Sequence, residues 1–515
     1  MLTMKRKKLP WYAVGGFGLS LLNTIATIYL ADALITTGFL SNIDNWTFFG
    51  KTVIEVGVFT ALKLVAQIVD GVIDIPFAAL TDNLKTRWGK RRPVMLLGTI
   101  LTIGFFIALC FPISHAENSI ANSIYIGIMF MLFYSAYTLT YVTYYGTYSE
   151  VTENTNDRLF LSNFKSFVDT IQYAIAYALI PVFVGFANIR WISLACVPLG
   201  LTMLISIFIA KERSTLPADV AKFKAEHPDY VESKIADETP IGQSIKLTFQ
   251  NKNFVMWLVV LGVFFFGLQM FLSGQNVLAS GPMGMNSWQI AIINSSAFAP
   301  VPLMLWWFKK IMKKIGFRYS FMIALGSFAL AMITFSISYV GWIPNQYVRL
   351  AIGATAGTIG SFGIGAFFMA PYMIPAQAAA EDRIKNKVSN SSMYFAVQGL
   401  VTALFGALSS GLLWPNLRNN FGTTSQVSTV DQLVAHGFLE GTEGNYVAVP
   451  YERIAENERG LYLAYINGAH IMPYIVAGCC VLAIGLCFLL PKSYDKLGTA
   501  KQLEDEKANK EKIAE

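Results

Sequence analysis

The sequence predicts an all-α membrane protein with twelve transmembrane helices in two six-helix halves, and three observations lead there. The 515-residue chain is 54% hydrophobic and 14% charged, too apolar and too sparsely charged for a soluble protein of its size. Its apolar residues gather into twelve runs of the length that crosses a hydrocarbon core, about 20 residues or more. The Lys and Arg residues behind a net charge of +7 are dealt out among short loops between those runs. That is the distribution of the positive-inside rule and not of a phosphate-binding surface, so nucleic acid is excluded as a partner.

The first run covers about 10–38, behind Lys5, Arg6, Lys7 and Lys8. It imitates a secretory signal but continues to about Thr37 with no early small-residue cleavage site, and so reads as an uncleaved first span. The others lie near 50–81, 93–113, 120–149, 160–189, 191–211, 253–280, 286–310, 317–343, 347–377, 387–415 and 460–490; only Asn188-Ile189-Arg190 separates the fifth from the sixth. One side of the membrane receives the N-terminal basic run, Lys85 to Arg92, the 150–158 loop, the 212–252 connector, Lys309 to Arg318, the 381–387 loop and the tail. The other receives scattered Lys51, Arg190, Arg349, Arg418, Arg453 and Arg459. Both termini are therefore expected in the cytoplasm and the chain in the cell membrane. Cys110, Cys196, Cys479, Cys480 and Cys487 all fall in apolar spans without metal-ligand spacing, which implies neither a disulfide framework nor a zinc site.

The connector 212–252 divides an N-terminal half, 1–211, from a C-terminal half, 253–490; 416–459 reads as a solvent-facing external loop and 491–515 as a charged tail without chemistry. The halves echo one another. KTRWGKRRPVMLLG after span two has a counterpart in KKIMKKIGFRYSFMIALG after span eight, and EVTENTNDR after span four in AAAEDRIKN after span ten. A tandem parallel repeat of six spans is the mark of the major facilitator architecture, whose substrate site lies between the halves near the midplane.

Span two carries the clearest functional signal. Lys63, Gln67, Asp70 and Asp74 are spaced four, three and four residues apart, which sets all of them on one helix face. An ionisable side chain at the bilayer centre costs roughly 2.5 to 3.5 kcal/mol on insertion scales, so this stripe needs partners or water. It is the candidate cation- or proton-coupling site; a static ion-pair network is the alternative. Span four presents Tyr134, Tyr137, Tyr141, Tyr144, Tyr145 and Tyr148 with threonines between them. A core would choose Phe or Leu over so many phenols, each of which wants a hydrogen-bond partner, and a sugar supplies such partners while stacking on the rings. Span five adds Lys165, Asp169 and Gln172 on one face. Lys63 and Lys165 are expected to balance Asp70, Asp74 and Asp169, so that a proton or cation can bind at little net cost. In the second half the intramembrane polar residues are Gln269, Gln275, Asn276, Asn294, Gln398 and His470, without a mid-membrane carboxylate in spans seven to nine or eleven. That half should contribute hydrogen bonds and shape, with His470 as a helix-contact residue. Span ten, rich in glycine from Gly353 to Gly365, allows close packing or movement.

The stretch DGVID-IPFAALTDNLKTRWGKRRP resembles the glycoside-pentoside-hexuronide:cation symporter family, with supporting matches at Tyr137, Lys165, Phe367 and the FAVQG around Gln398. The resemblance implies that Asp70 and Asp74 form the cation or proton site and that Asp82, Arg87 and Arg91 form a cytoplasmic gate. It also implies that Tyr137 and Lys165 line a sugar site; Ser20, Asn23, Tyr141, Tyr145, Asp169, Phe367 and Gln398 join them as candidates. The chain departs from the family's melibiose carrier at Ile73, Tyr141, Ser20 and Ala403, where that carrier has Asn, Asp, Asp and Lys. Those losses leave few hard oxygens for sodium, so a co-transported proton is expected in preference to Na+ at Asp70 and Asp74.

The function expected is a secondary active sugar symporter working by alternating access as a monomer. The alternatives are a carrier of a lysolipid-like amphiphile, an uncoupled facilitator and, further off, a transport-like sensor. No H-E-x-x-H, P-loop or G-x-S-x-G elbow is present, which argues against an enzyme, and no cofactor or firm metal site is expected.

Overall fold

The computed structural model describes residues 6–499, except 38, 83, 90, 147–154, 211, 213, 227–245, 247, 387–390, 421–426, 428, 442–445 and 498. Twelve helices are long and apolar enough to cross a membrane: Arg6–Leu34, Val56–Asp74, Arg92–Leu109, Ile120–Tyr145, Phe167–Val184, Ile189–Ile209, Lys252–Ser280, Ser287–Ile315, Phe317–Ile337, Gln346–Pro375, Val397–Arg418 and Arg459–Cys487. They are spans one to twelve below. The turn between spans five and six is real. Asn188 adopts extended backbone and its side chain accepts from the Arg190 amide, which starts span six. Asn251 caps span seven in the same way, and Asn286 with Gln289 forms a reciprocal capping box at span eight.

Not every span is a plain α-helix. Ile25–Leu30 in span one, Ile175–Leu179 in span five and Ala407–Leu413 in span eleven are wound wider, as π segments. Such segments are rare and cluster at functional sites. The first two are tied together, since the Tyr29 hydroxyl donates to the Ala176 carbonyl at 2.7 Å. The 416–459 stretch is partly folded. Trp414–Asn420 is helical, and a short helix Val430–Ala435 and an antiparallel pair, Leu439–Glu440 with Val447–Ala448, follow. The charged tail beyond residue 500 lies outside the described residues.

The chain divides into two compact units, Met1–Ile235 with Gly411–Val449, and Ala236–Ser410 with Pro450–Glu515. In the first, span four packs along spans two and three; in the second, span nine packs on spans ten and twelve, and span seven on span twelve. Sequence order assigns all of 253–490 to one half, whereas Gly411–Val449 groups with the first. Gly411 lies against span two, where a Cβ would sit 3.4 Å from Leu64 Cα and displace the Gln67 side chain. Lys51 and Thr429 also pair their backbones as an isolated bridge.

Candidate functional site

Span two is part of one unbroken helix, Val56–Asp82, and its stripe is set by that helix's periodicity. Asp70 Oδ1 accepts from the Thr138 hydroxyl of span four at 2.5 Å. The Asp74 carboxylate, one turn on, feels the charge of Asp70. No cation among the described residues pairs with either. The lysines are engaged elsewhere: buried Lys63 faces Asp32 and Arg418, and Lys165 pairs with Asp169 on its own helix. The expected balancing of Asp70 and Asp74 by Lys63 and Lys165 is thus replaced by two separate pairings, because Asp32 supplies the negative charge that Lys63 meets. What remains is a pair of half-buried carboxylates with one hydroxyl donor. Gln67 lies on the same face beside Gly411.

A second group forms where spans one, four and five meet. The Tyr137 and Tyr141 rings lie 4.3 Å apart, and Ser20 is a polar neighbour of both hydroxyls. Tyr141 is buried and donates to the Gly16 carbonyl, while Tyr144 donates to Tyr12 O at 2.9 Å. These phenols are partly structural, fastening span four to span one. Tyr145 is 48% exposed and packs its ring on Tyr141. Ser20 reaches Gln172 at 3.5 Å, Gln172 donates to Thr24 at 2.9 Å, and Asp169 is close enough to act on Tyr137. The Asn23 carbonyl oxygen, one turn beyond Ser20, is buried with no hydrogen-bond partner among the described residues. Donors, acceptors and an ion pair are therefore collected at one place in the first unit.

The second unit offers neutral groups. Phe367 sits 5.6 Å, ring to ring, from both Phe264 and Phe265. Gln398 accepts from the Trp257 indole at 2.9 Å and donates to the Pro371 carbonyl at 2.8 Å, so both ends of its amide serve packing between spans seven, ten and eleven. His470 stacks on Tyr339 at 3.9 Å with Nε2 3.2 Å from Ser336 O, a helix contact. Gln275 differs. It is 5% exposed and neither end of its amide has a hydrogen-bond partner among the described residues; the Ser273 hydroxyl and the Asn276 amide nitrogen are in the same state.

Of the expected gate, Asp82 ends the span-two helix, with its side chain outside the described residues, and Arg87 is exposed. Arg91 is buried, and its backbone amide and that of Arg92 donate to Glu212 at 2.9 and 3.2 Å. The basic turn is thus anchored by an acid from beyond span six. Sequence reasoning also missed Asp32 and Arg418. Arg418 is 1% exposed and donates to Asp32 Oδ1 at 2.9 Å, to Thr37 O at 2.5 Å and to Ile35 O at 2.8 Å, over the Phe39 ring; Trp414 adds a bond to Asp32 at 3.3 Å. A lone Asp at the end of an apolar run was the available signal.

A family model described as MFS/sugar transport protein matches residues 11–439. The chain is 22% identical over 380 residues to a lactose permease of Leuconostoc lactis, covering 70% of this chain and 55% of that one. It is 26% identical over 231 residues to a lactose permease of Lactobacillus helveticus, covering 41% and 35%. The matches thus span about a third to a half of those relatives' lengths. The fold is similar to that of a bacterial homologue of the human lysosomal transporter Spinster in an inward-facing, unoccupied state, with TM-score 0.56, 14% identity and coverage of 94% and 98%. The chain belongs to the MFS/sugar transport family, as its resemblance to the glycoside-pentoside-hexuronide:cation symporters implied, and is a multi-pass membrane protein and not an enzyme.

Proposed function

We propose that this member of the MFS/sugar transport family is a sugar symporter of the cell membrane, driven by protons and working by alternating access with both termini in the cytoplasm. One observation carries the reading: Asp70 and Asp74 stand one turn apart within the membrane, held by one hydroxyl and paired with no described cation. Two such carboxylates cannot stay ionised in a low-dielectric setting without a counter-charge, and a co-transported cation is that counter-charge. With Thr138 as the nearby oxygen, the pair offers fewer ligands than a hard cation needs, which favours H+ over Na+. The substrate group is Ser20, Asn23, Tyr137 and the Lys165–Asp169 pair, whose mix of donors and acceptors suits a polyhydroxylated ligand. Two lactose permeases among the relatives make a β-galactoside the first glycoside to try, ahead of pentosides and hexuronides.

The test is uptake of labelled sugars into proteoliposomes under an imposed proton or sodium gradient, with Asp70→Asn and Asp74→Asn beside the wild type. Proton-driven accumulation of one sugar, lost in both variants while sugar exchange survives, is the expected result. Equilibration without accumulation in wild type would make the protein an uncoupled facilitator. No sugar movement by folded protein would reject the sugar assignment and turn attention to lysolipids.

A further inference from the structure

We propose that the second unit holds one anionic phospholipid, with an acyl chain in a groove beside spans eight, nine and twelve and its phosphate on the lysines that end span eight. The groove is shallow and widely open, and is lined by Ile315, Tyr319, Met322, Ile323 and Ile484. Its walls face outward, since Ile315, Tyr319 and Ile323 are 39, 45 and 48% exposed. Four of the five lining side chains are aliphatic or thioether, which suits a lipid tail, and the Tyr319 hydroxyl suits the level of the headgroup.

Charge fixes which lipid. The last two turns of span eight carry Lys309, Lys310, Lys313 and Lys314, all exposed, and Lys314 directly precedes the groove residue Ile315. Gly316, at φ 80, then reverses the chain, so Tyr319 and Ile323 of span nine descend from the lysine-bearing end. A residue with a Cβ could not make that turn, since the Cβ would fall 1.8 Å from Asp495 O. Asp495 is engaged away from the cluster: its carboxylate forms an ion pair with Arg318 at 2.9 Å, and Arg318 also donates to the Leu490 carbonyl. Lys492, just past span twelve, is exposed and adds to the same field. Lys310 stands 5.1 Å over the Trp306 ring, which leaves Lys313 and Lys314 as the freer pair for a phosphate. Basic side chains at the end of a membrane groove select anionic headgroups, each worth roughly fivefold in affinity. The proposal concerns a resident lipid and stands whatever sugar the protein moves.

Native mass spectrometry of the full-length, delipidated protein titrated with phosphatidylglycerol or phosphatidylcholine tests it. One phosphatidylglycerol should be retained under conditions that strip phosphatidylcholine. Lys313→Gln with Lys314→Gln should weaken that retention by roughly tenfold or more, and Ile323→Trp, which fills the hollow, should abolish it. Met322→Phe is the substitute if the tryptophan variant does not fold. Equal retention of both lipids by the wild type, or retention untouched by the lysine and groove variants, would overturn the proposal. So would a dimer by mass that excludes lipid from this face.

Discussion

The two units treat polarity in the membrane in opposite ways. The spans of the first carry Asp32, Lys63, Asp70, Asp74 and Asp169, with Lys165 one turn before Asp169, whereas those of the second contain no Asp or Glu at all and rely on amides and hydroxyls. The treatment of partners differs too. In the first unit Asp32 pairs with Arg418 and Lys165 with Asp169, and Asp70 and Asp74 stand out because no cation among the described residues pairs with them. In the second unit both ends of the Gln398 amide are bonded, whereas Gln275, with Ser273 and Asn276 beside it, has buried polar atoms without a partner among the described residues. Charge is thus concentrated in the spans of the first unit and neutral polar groups in those of the second, and each unit holds buried polar atoms without a hydrogen-bond partner among the described residues, Asn23 in the first and Gln275, Ser273 and Asn276 in the second.

The sharpest break of that contrast is to unpair a paired charge. Arg418→Ala leaves the Asp32 carboxylate buried with only Trp414 and Lys63 near it, and we predict a loss of about 3–5 kcal/mol in the stability of the first unit, read as a large fall in thermal unfolding temperature in detergent. Asp32→Asn with Arg418→Met should recover much of that. If Arg418→Ala unfolds with the wild type, the clamp is not what gathers Gly411–Val449 to the first unit.

Asp70→Asn tests the unpaired member. It removes the ionisable charge while keeping an amide oxygen that can accept from Thr138, so folding should hold while proton-driven accumulation falls by about a hundredfold, about 2.7 kcal/mol of coupling. Exchange of sugar without a gradient should persist, and a drop in both would mean that Asp70 serves the fold or the sugar and not the cation.

Twelve spans, their order and the acidic stripe were legible because hydropathy and a period near 3.6 residues are local properties. So was the family resemblance, which rests on one continuous stretch. What escaped depends on distant residues meeting. Arg418 reads as a loop cation until Asp32, 386 positions away, accepts from it. Lys63 reads as the counter-ion of Asp70 because they share a helix face, but its charged neighbours lie on other helices. Gln398 reads as a ligand contact from its motif, yet its amide is used up between Trp257 and Pro371. Wide turns at Ile25–Leu30, Ile175–Leu179 and Ala407–Leu413 have no composition signal of their own.

Gln398→Leu follows from that last contrast. It orphans the Trp257 indole N–H and leaves the Pro371 carbonyl without its side-chain donor, so stability should fall by about 1–3 kcal/mol with little change in the sugar concentration that half-saturates uptake. Should affinity fall while stability holds, the residue is a sugar contact after all.

Gln275→Leu should do the reverse, and the reasoning turns on what an unbonded amide costs. A buried polar atom without a partner destabilises by about 1–3 kcal/mol, and Gln275 has two such atoms at 5% exposure, next to Ser273 and Asn276 in the same condition. A leucine of similar reach removes that penalty, so thermal stability in the absence of sugar should be unchanged or slightly higher. If a sugar hydroxyl supplies the missing bonds during transport, the same change should raise the half-saturating concentration by about fivefold, about 1 kcal/mol for one neutral hydrogen bond. Ordered water would satisfy the amide equally well at rest, but its loss would leave sugar affinity alone. Stability and affinity moving in opposite directions would therefore place neutral recognition in the second unit, and an unchanged affinity would confine substrate binding to the tyrosine and ion-pair group of the first.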